Sequence, residues 1–311
     1  MKRILFLYGL IFLLTLSVLN GWAQQDPLFT QYMNNPGLIN PAYAGSKGIL
    51  NMNGIFRKQW VGQEWSPTTT TLTVNSPLRK YEVGLGLTFV DDQIGPMHQT
   101  GLYIDYARHF LIGKKHNVSL GLKAGFNYFD INLMNLIMYE YDPYLAADPH
   151  NTAFLPNFGV GIYYFTDSYF VGISVPKLIR NNIRDQDNTL VVVGREERHY
   201  FLTAGYLFTI DDPVWKLKAS TMTRLVNGAP VSLEIGLTAI FYERIWFGLT
   251  YRFGDAFAAH ARVQVSDRLQ LGYSYDMNNS RLKAYNSGSH EVFLSYDFSF
   301  KGQRIRSPRY F

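Results

Sequence analysis

The chain has 311 residues, 29 of them Lys or Arg against 24 Asp or Glu, and no cysteine. Its formal charge of +5, which falls to +3 without the two basic residues Lys2 and Arg3 of the leader, is too small over this length to argue for nucleic-acid binding. The lack of cysteine excludes disulfide staples and thiolate metal sites, so backbone hydrogen bonds and packing must hold the fold.

Residues 1–23 read as a secretory signal peptide. Lys2 and Arg3 form a basic start, Ile4 to Leu19 an apolar run, and Gly21-Trp22-Ala23 places small residues where a signal peptidase needs them. The run is short for a helical membrane span of about 20 residues and has no stop-transfer charges behind it. Residues 24–47 have a different character. Pro27, Pro36 and Pro41 remove backbone donors and fix φ, and Asn34-Asn35-Pro36 and Asn40-Pro41 favour turns. Leu28, Phe29, Tyr32, Met33, Leu38, Ile39 and Tyr43 are costly to leave in water, so an ordered, turn-rich segment is expected.

From residue 48 onward the chain carries much of its 22 Tyr and 22 Phe, yet mean hydropathy is −0.09 and no stretch is long and apolar enough for a membrane helix. Alternation with a period of two recurs instead. Val118, Leu120, Leu122, Ala124, Phe126 and Tyr128 interleave with Ser119, Gly121, Lys123, Gly125 and Asn127, and Leu269, Leu271, Tyr273 and Tyr275 with Gln270, Gly272, Ser274 and Asp276. Between Ile245 and Phe253 the alternation is broken by Trp246. Fourteen segments follow: about 48–60, 66–76, 80–91, 97–111, 115–130, 153–166, 168–176, 198–210, 213–224, 229–240, 243–253, 256–265, 267–276 and 289–301; twelve or sixteen fit the same pattern.

A soluble sandwich also alternates, but two features favour an all-β transmembrane antiparallel barrel of the outer membrane over residues 48–301, with a periplasmic tail at 302–311. Gly84, Gly86, Gly121, Gly125, Gly159 and Gly161 fall on the small side, as a crowded interior requires, and aromatic residues gather near strand ends. Loop lengths also obey a parity. The long connections, Ile131–Thr152, Pro176–Arg198 and Met277–His290, follow odd strands, whereas Thr166-Asp167, Asp211-Asp212, Tyr242-Glu243 and Ser266-Asp267 follow even ones. Long outer loops, short periplasmic turns and an even strand count put both chain ends in the periplasm. Segment 24–45 is expected inside or beneath the barrel, narrowing its lumen; a disordered periplasmic leader is the alternative.

By the same alternation Lys123, Glu234, His260, Arg262, Glu291 and Asp297 face the lumen. They either line a channel or pair with each other and with a plug; the mixture of signs favours pairing. Asp91-Asp92 with nearby His98 is the nearest approach to a protease-like acid group and reads more simply as a solvated rim. Asp185-Gln186-Asp187-Asn188 lacks the glycine and glutamate of a calcium loop, and the histidines lack metal-ligand spacing. No catalytic, cofactor or metal site is therefore expected, and the protein reads as non-enzymatic. Tyr139, Tyr141, Tyr144, Asn181 and Asn182 in the outer loops are candidates for contact with a protein partner.

Residues 24–45, QQDPLFTQYMNNPGLINPAYAG, carry a specific motif: Asp26, Pro27, Phe29, Gln31, Tyr32, Asn35, Pro36, Asn40, Pro41, Ala42 and Gly45 stand at its marked positions. It closely resembles the start of the PorP/SprF family of type IX secretion membrane proteins of the Bacteroidota. Arg57-Lys58-Gln59-Trp60, Ser287-Gly288-Ser289-His290-Glu291, Leu294 to Phe298 and the closing Ser307-Pro308-Arg309-Tyr310-Phe311 resemble later landmarks of that family. The resemblance implies a barrel embedded in outer-membrane lipid. It also implies work with type IX secretion or gliding components, or with a secreted adhesin held through its C-terminal sorting domain. A passive channel for small solutes is the alternative.

Overall fold

The computed structural model describes residues 29–132, 150–184, 192–212, 214–279 and 281–298. Outside them lie the signal peptide at 1–23, Asp26 and Pro27 of the motif, Tyr139, Tyr141 and Tyr144, the Asp185–Asn188 run, and the tail at 302–311 with Phe311. Among the described residues the strands are β1 (Leu50–Lys58), β2 (Thr68–Leu78), β3 (Val83–Ile94), β4 (Met97–Ile112), β5 (His116–Asn132), β6 (His150–Phe165), β7 (Tyr169–Val175), β8 (Asn182–Arg184), β9 (Val192–Arg195), β10 (His199–Asp211), β11 (Trp215–Val226), β12 (Ser232–Phe241), β13 (Ile245–Arg252), β14 (Ala256–Gln264), β15 (Leu269–Asn278) and β16 (Ser289–Phe298). Fourteen of them close an antiparallel barrel in chain order, with β7 beside β10 and the seam formed by β1 on β16, from Leu50 opposite Phe298 to Lys58 opposite His290. The fourteen expected segments are these fourteen strands. The β8–β9 hairpin was missed: its strands are three and four residues long, and they lie within the connection between β7 and β10, where alternation is too brief to register.

The alternation is inverted relative to a soluble sheet. Asn51, Asn53 and Arg57 of β1 and Thr69, Thr71, Thr73 and Asn75 of β2 are buried inside, while Leu85, Leu87, Leu102, Ile104, Leu120, Leu122, Phe158, Ile162 and Ile173 are exposed on the outer wall. An apolar exterior around a polar interior is stable only where the surrounding medium is itself apolar. Two aromatic belts bound this exterior. At the end bearing the short turns, Tyr164, Tyr169, Tyr206 and Phe208 form a continuous run and Trp215 lies 4.7 Å from Phe241. At the long-loop end, Phe126 lies 4.7 Å from Phe154 and Tyr251 4.9 Å from Phe253. Ten residues of β5 separate Val118, opposite Tyr164, from Tyr128, opposite Phe154. At a rise of about 3.3 Å per residue and a tilt near 40° they span roughly 25 Å, the height of an outer-membrane apolar band.

Leu122 sits midway between the belts and is 59% exposed. Leu122→Arg should therefore cost about 2–4 kcal/mol of folding stability, read as a lowered urea midpoint for the protein refolded into phospholipid vesicles. The short turns follow from local chemistry. Tyr242 and Glu243 both adopt left-handed backbone (φ 49° and 53°), the two-residue turn whose twist matches that of the flanking strands β12 and β13.

Candidate functional site: the lumen and the segment that fills it

Ahead of β1, residues 29–48 run through the barrel from one mouth to the other. Three short 3-10 turns, Tyr32–Asn34, Pro36–Leu38 and Pro41–Tyr43, compact the segment. Pro36 and Pro41 each open a turn, where the missing N–H has no helical partner to lose, and the Asn40 side chain accepts a hydrogen bond from the Ala42 N–H at 3.0 Å. With Pro36 and Pro41 in its sequence, the segment cannot join the sheet as a central strand.

Thr30 lies at the long-loop mouth. Its backbone N–H and that of Gln31 donate to Glu291 at 2.9 and 2.8 Å, and its hydroxyl donates to Asp276 at 2.6 Å. Lower down, Phe29 packs with Ile55 and Phe293, and Tyr32 and Met33 pack with Phe201 and Met222. Asn35 accepts from the Thr73 hydroxyl at 2.9 Å, and the Asn40 amide donates to the Ile162 carbonyl at 3.0 Å. At the short-turn mouth, Ala42 and Tyr43 join a buried cluster with Tyr163, Phe165, Phe170, Leu207, Ile240 and Trp246, and Lys47 reaches Asp297 at 3.5 Å. The motif positions that are described therefore all lie within the lumen, with Pro36 and Pro41 opening the second and third turns and Gly45 leaving the last one at φ 74°.

The wall is shaped to this segment. A Cβ at Gly84 would collide with the Ala44 carbonyl, and one at Gly121 with the backbone of Ala42. Neither strand position tolerates a side chain while the segment is seated. Gly121→Val should leave β5 paired with β4 and β6 but unseat residues 40–45. Limited proteolysis of folded protein should then cut within 29–48 at least about tenfold faster than in the parent, the signature of a local opening.

The charges that line the lumen are closed in small groups. Arg57 bridges Asp276 (2.8 Å) and Glu291 (3.0 Å) and also donates to the Thr30 hydroxyl at 3.1 Å. Arg252 pairs with Glu234 at 2.9 Å and with Asp255 at 3.0 Å. Lys123 meets Asp105 at 3.2 Å. Arg262 donates to Asn34 at 2.8 Å and lies 4.3 Å from the Trp246 ring centroid, and His260 contacts Thr238 at 3.2 Å. Lys123, Glu234, His260, Arg262, Glu291 and Asp297 all lie on the inner face, but at different heights, so they form no single site. The six lumen-facing charges named from the alternation did not include Arg57 and Asp105, nor Arg252 and Asp276, although those last two stand on the polar side of their alternating runs. Trp246, taken as a break in the pattern, keeps it: it is an inward side chain stacked beneath Arg262.

Asp91 and Asp92 are not a pair. As neighbours on β3 they point to opposite faces: Asp92 inward, accepting from Thr69 at 2.6 Å, and Asp91 outward, 2.8 Å from His98. Asn181 and Asn182, candidates for partner contact, also bond within the loop. Asn181 donates to Glu196 at 2.8 Å and Asn182 accepts from Arg195 at 2.8 Å. Glu196 also takes a hydrogen bond from Asn127 and lies 3.6 Å from Lys177, tying the connection after β7 to the inner side of β5.

An apolar exterior between two aromatic belts, around a polar interior filled by the chain's own leading segment, defines a transmembrane β-barrel of the outer-membrane type. Its fold is similar to that of the CymD monoaromatic hydrocarbon channel (12% identity, TM-score 0.54, covering 88% of this chain and 93% of that one). The outer membrane protein Omp33 of Acinetobacter baumannii (6%, 0.48, 80% and 98%) and a FadL homologue of Pseudomonas aeruginosa (12%, 0.43, 90% and 96%) also match. At these identities the first likeness speaks to fold alone. No curated protein matches the chain. Residues 22–296 match the family of type IX secretion system membrane proteins PorP/SprF, and the chain belongs to that family.

Proposed function

We propose that this is a non-enzymatic outer-membrane barrel of the type IX secretion or gliding machinery, which anchors a secreted adhesin-like protein at the cell surface or helps to export it. Family membership supports the tie to type IX secretion. The observation that carries a holding role over a solute pore is the filled lumen: residues 29–48 cross it from mouth to mouth and are bonded at both ends. The partners on this reading are the surrounding outer-membrane lipid, type IX components, and a protein bearing a C-terminal sorting domain.

The proposed orientation turns the short-turn end to the periplasm and the long loops outward. Leu50 and Phe298, which pair with each other, then lie on the periplasmic side. Strand count alone assigned both chain ends to that side, but the described part of the leading segment ends at the opposite mouth, at Phe29 and Thr30.

The test is affinity purification from native membranes in mild detergent. The expected result is a stoichiometric secreted protein with a C-terminal sorting domain, together with liposome swelling no faster than that of empty vesicles. Swelling at porin rates without such a protein would establish the alternative, a passive channel.

A further inference from the structure

We propose that a cleft on the outer wall of the barrel, at the long-loop rim, binds the sugar residues of a membrane glycolipid. The cleft is an open recess of about 220 Å³ lined by Trp65, Gln93, Gly95, Pro96, His98, Asp130 and Asn132. Gln93 stands opposite His98, and His98 opposite Asp130, so three outward side chains from β3, β4 and β5 share one row. Trp65 closes the other side. It is half exposed and held with left-handed backbone (φ 61°), a conformation rare for a bulky residue. Its carbonyl accepts the Gly95 N–H at 3.0 Å, which pins the indole over the tight Gly95–Pro96 turn. The imidazole of His98 is fixed by Asp91 at 2.8 Å, and Asp91 also accepts from Thr100 at 3.1 Å.

These groups match a pyranose. An indole face takes the apolar C–H surface of a sugar ring, while carboxamide, carboxylate and imidazole groups bond neighbouring hydroxyls in pairs. Among the described residues its lining holds no Lys or Arg, and two carboxylates stand at its edge, so a phosphate or another anion is repelled. Height selects the source of the sugar. On β5, Asp130 lies two residues beyond Tyr128 of the outer aromatic belt, at head-group level rather than among the acyl chains. An interfacial tryptophan anchor explains an exposed indole. It does not explain a recess facing it, lined by planar polar groups. Only the choice of leaflet rests on the orientation proposed above.

Trp65→Gly tests the assignment, because glycine accepts the left-handed backbone and removes only the indole. Intact protein in detergent micelles is titrated calorimetrically with the core oligosaccharide released from rough lipopolysaccharide. Separately, it is incorporated into nanodiscs containing that lipopolysaccharide or phosphatidylethanolamine alone. The parent is expected to bind, and Trp65→Gly to bind at least about tenfold more weakly, with Asn132→Ala intermediate and the heat-modified gel shift unchanged. Binding seen only in lipopolysaccharide nanodiscs and lost in Trp65→Gly assigns the site to intact glycolipid; binding of the free oligosaccharide as well extends it to soluble sugars. Equal binding by parent and variant, or no binding of either probe, overturns the proposal. The micelle titration depends on neither partner nor orientation, so its failure leaves the anchoring reading untouched.

Discussion

Deleting residues 24–45 is expected to turn an electrically silent barrel into a conducting one. Side chains just fill the interior of an eight-stranded barrel, and the bore widens in proportion to strand number, so fourteen strands leave space that their own side chains cannot close. Here residues 29–48 occupy that space. The deletion removes Phe29, Tyr32, Met33 and Tyr43 from the lumen but no strand, because β1 begins at Leu50. The Arg57 and Arg252 ion groups keep their wall partners, so the barrel should still fold and shift on gels. Single-channel conductance in planar bilayers should rise by at least about tenfold, towards that of a wide aqueous barrel. An unchanged conductance would mean that the segment does not close the pore.

The second large effect is expected at Arg57. This side chain is buried, as are Asp276 and Glu291, and its guanidinium is the cation both carboxylates share. Arg57→Met leaves two buried carboxylates facing each other, met by the Thr30 hydroxyl, the Thr30 and Gln31 N–H groups and the more distant charge of Arg252. Breaking a buried pair by removing one member costs about 3–5 kcal/mol, mainly the penalty of the stranded charge. The urea midpoint in vesicles should fall accordingly, and the top of the segment should become accessible to protease. Replacing both acids as well, as Arg57→Met with Asp276→Leu and Glu291→Met, should recover much of that loss, because the stranded charge is then gone. The exposed Arg108–Glu82 pair is the contrast: its removal should cost no more than about 1 kcal/mol. A loss at Arg57 no larger than that would show that the cluster does not secure the segment.

The strands were legible because a wall with lipid on one side and a filled lumen on the other imposes a strict period of two. Val118 to Tyr128 shows it without a break. Where the period is shorter than a few residues, as in β8 and β9, the signal vanishes. Loop lengths after odd and even strands were equally legible, since they record which mouth each connection crosses. The prolines of the leading segment showed that it is not a strand. They did not show that it crosses the lumen, because its bonds to Asp276, Glu291 and Arg57 join residues more than two hundred positions apart or at the far end of β1. For the same reason alternation placed Lys123 or Glu234 inside without naming Asp105 or Arg252 as the partner. Trp246 reads as a break in the sequence because an apolar side chain stands on the side that otherwise carries Gly248, Thr250 and Arg252. Beneath Arg262 it serves instead as an apolar floor for a cation. Asp91 and Asp92 were read as adjacent acids, and only the pleat of β3 separates them to opposite faces.

The direction in which the leading segment runs has a mechanical consequence. It is joined covalently to the sheet at the short-turn mouth, through Gly45 and Gly48, both with left-handed backbone, while Thr30 at the other mouth is held only by hydrogen bonds. A force on the segment from the short-turn side would peel those bonds away one after another, like a zip, with the glycines as the hinge. A force from the long-loop side would draw the segment taut against β1, whose bonds to β2 and β16 share the load all at once. Release is therefore one-sided. A machine that opens this barrel without tearing its seam has to pull from the side of the short turns.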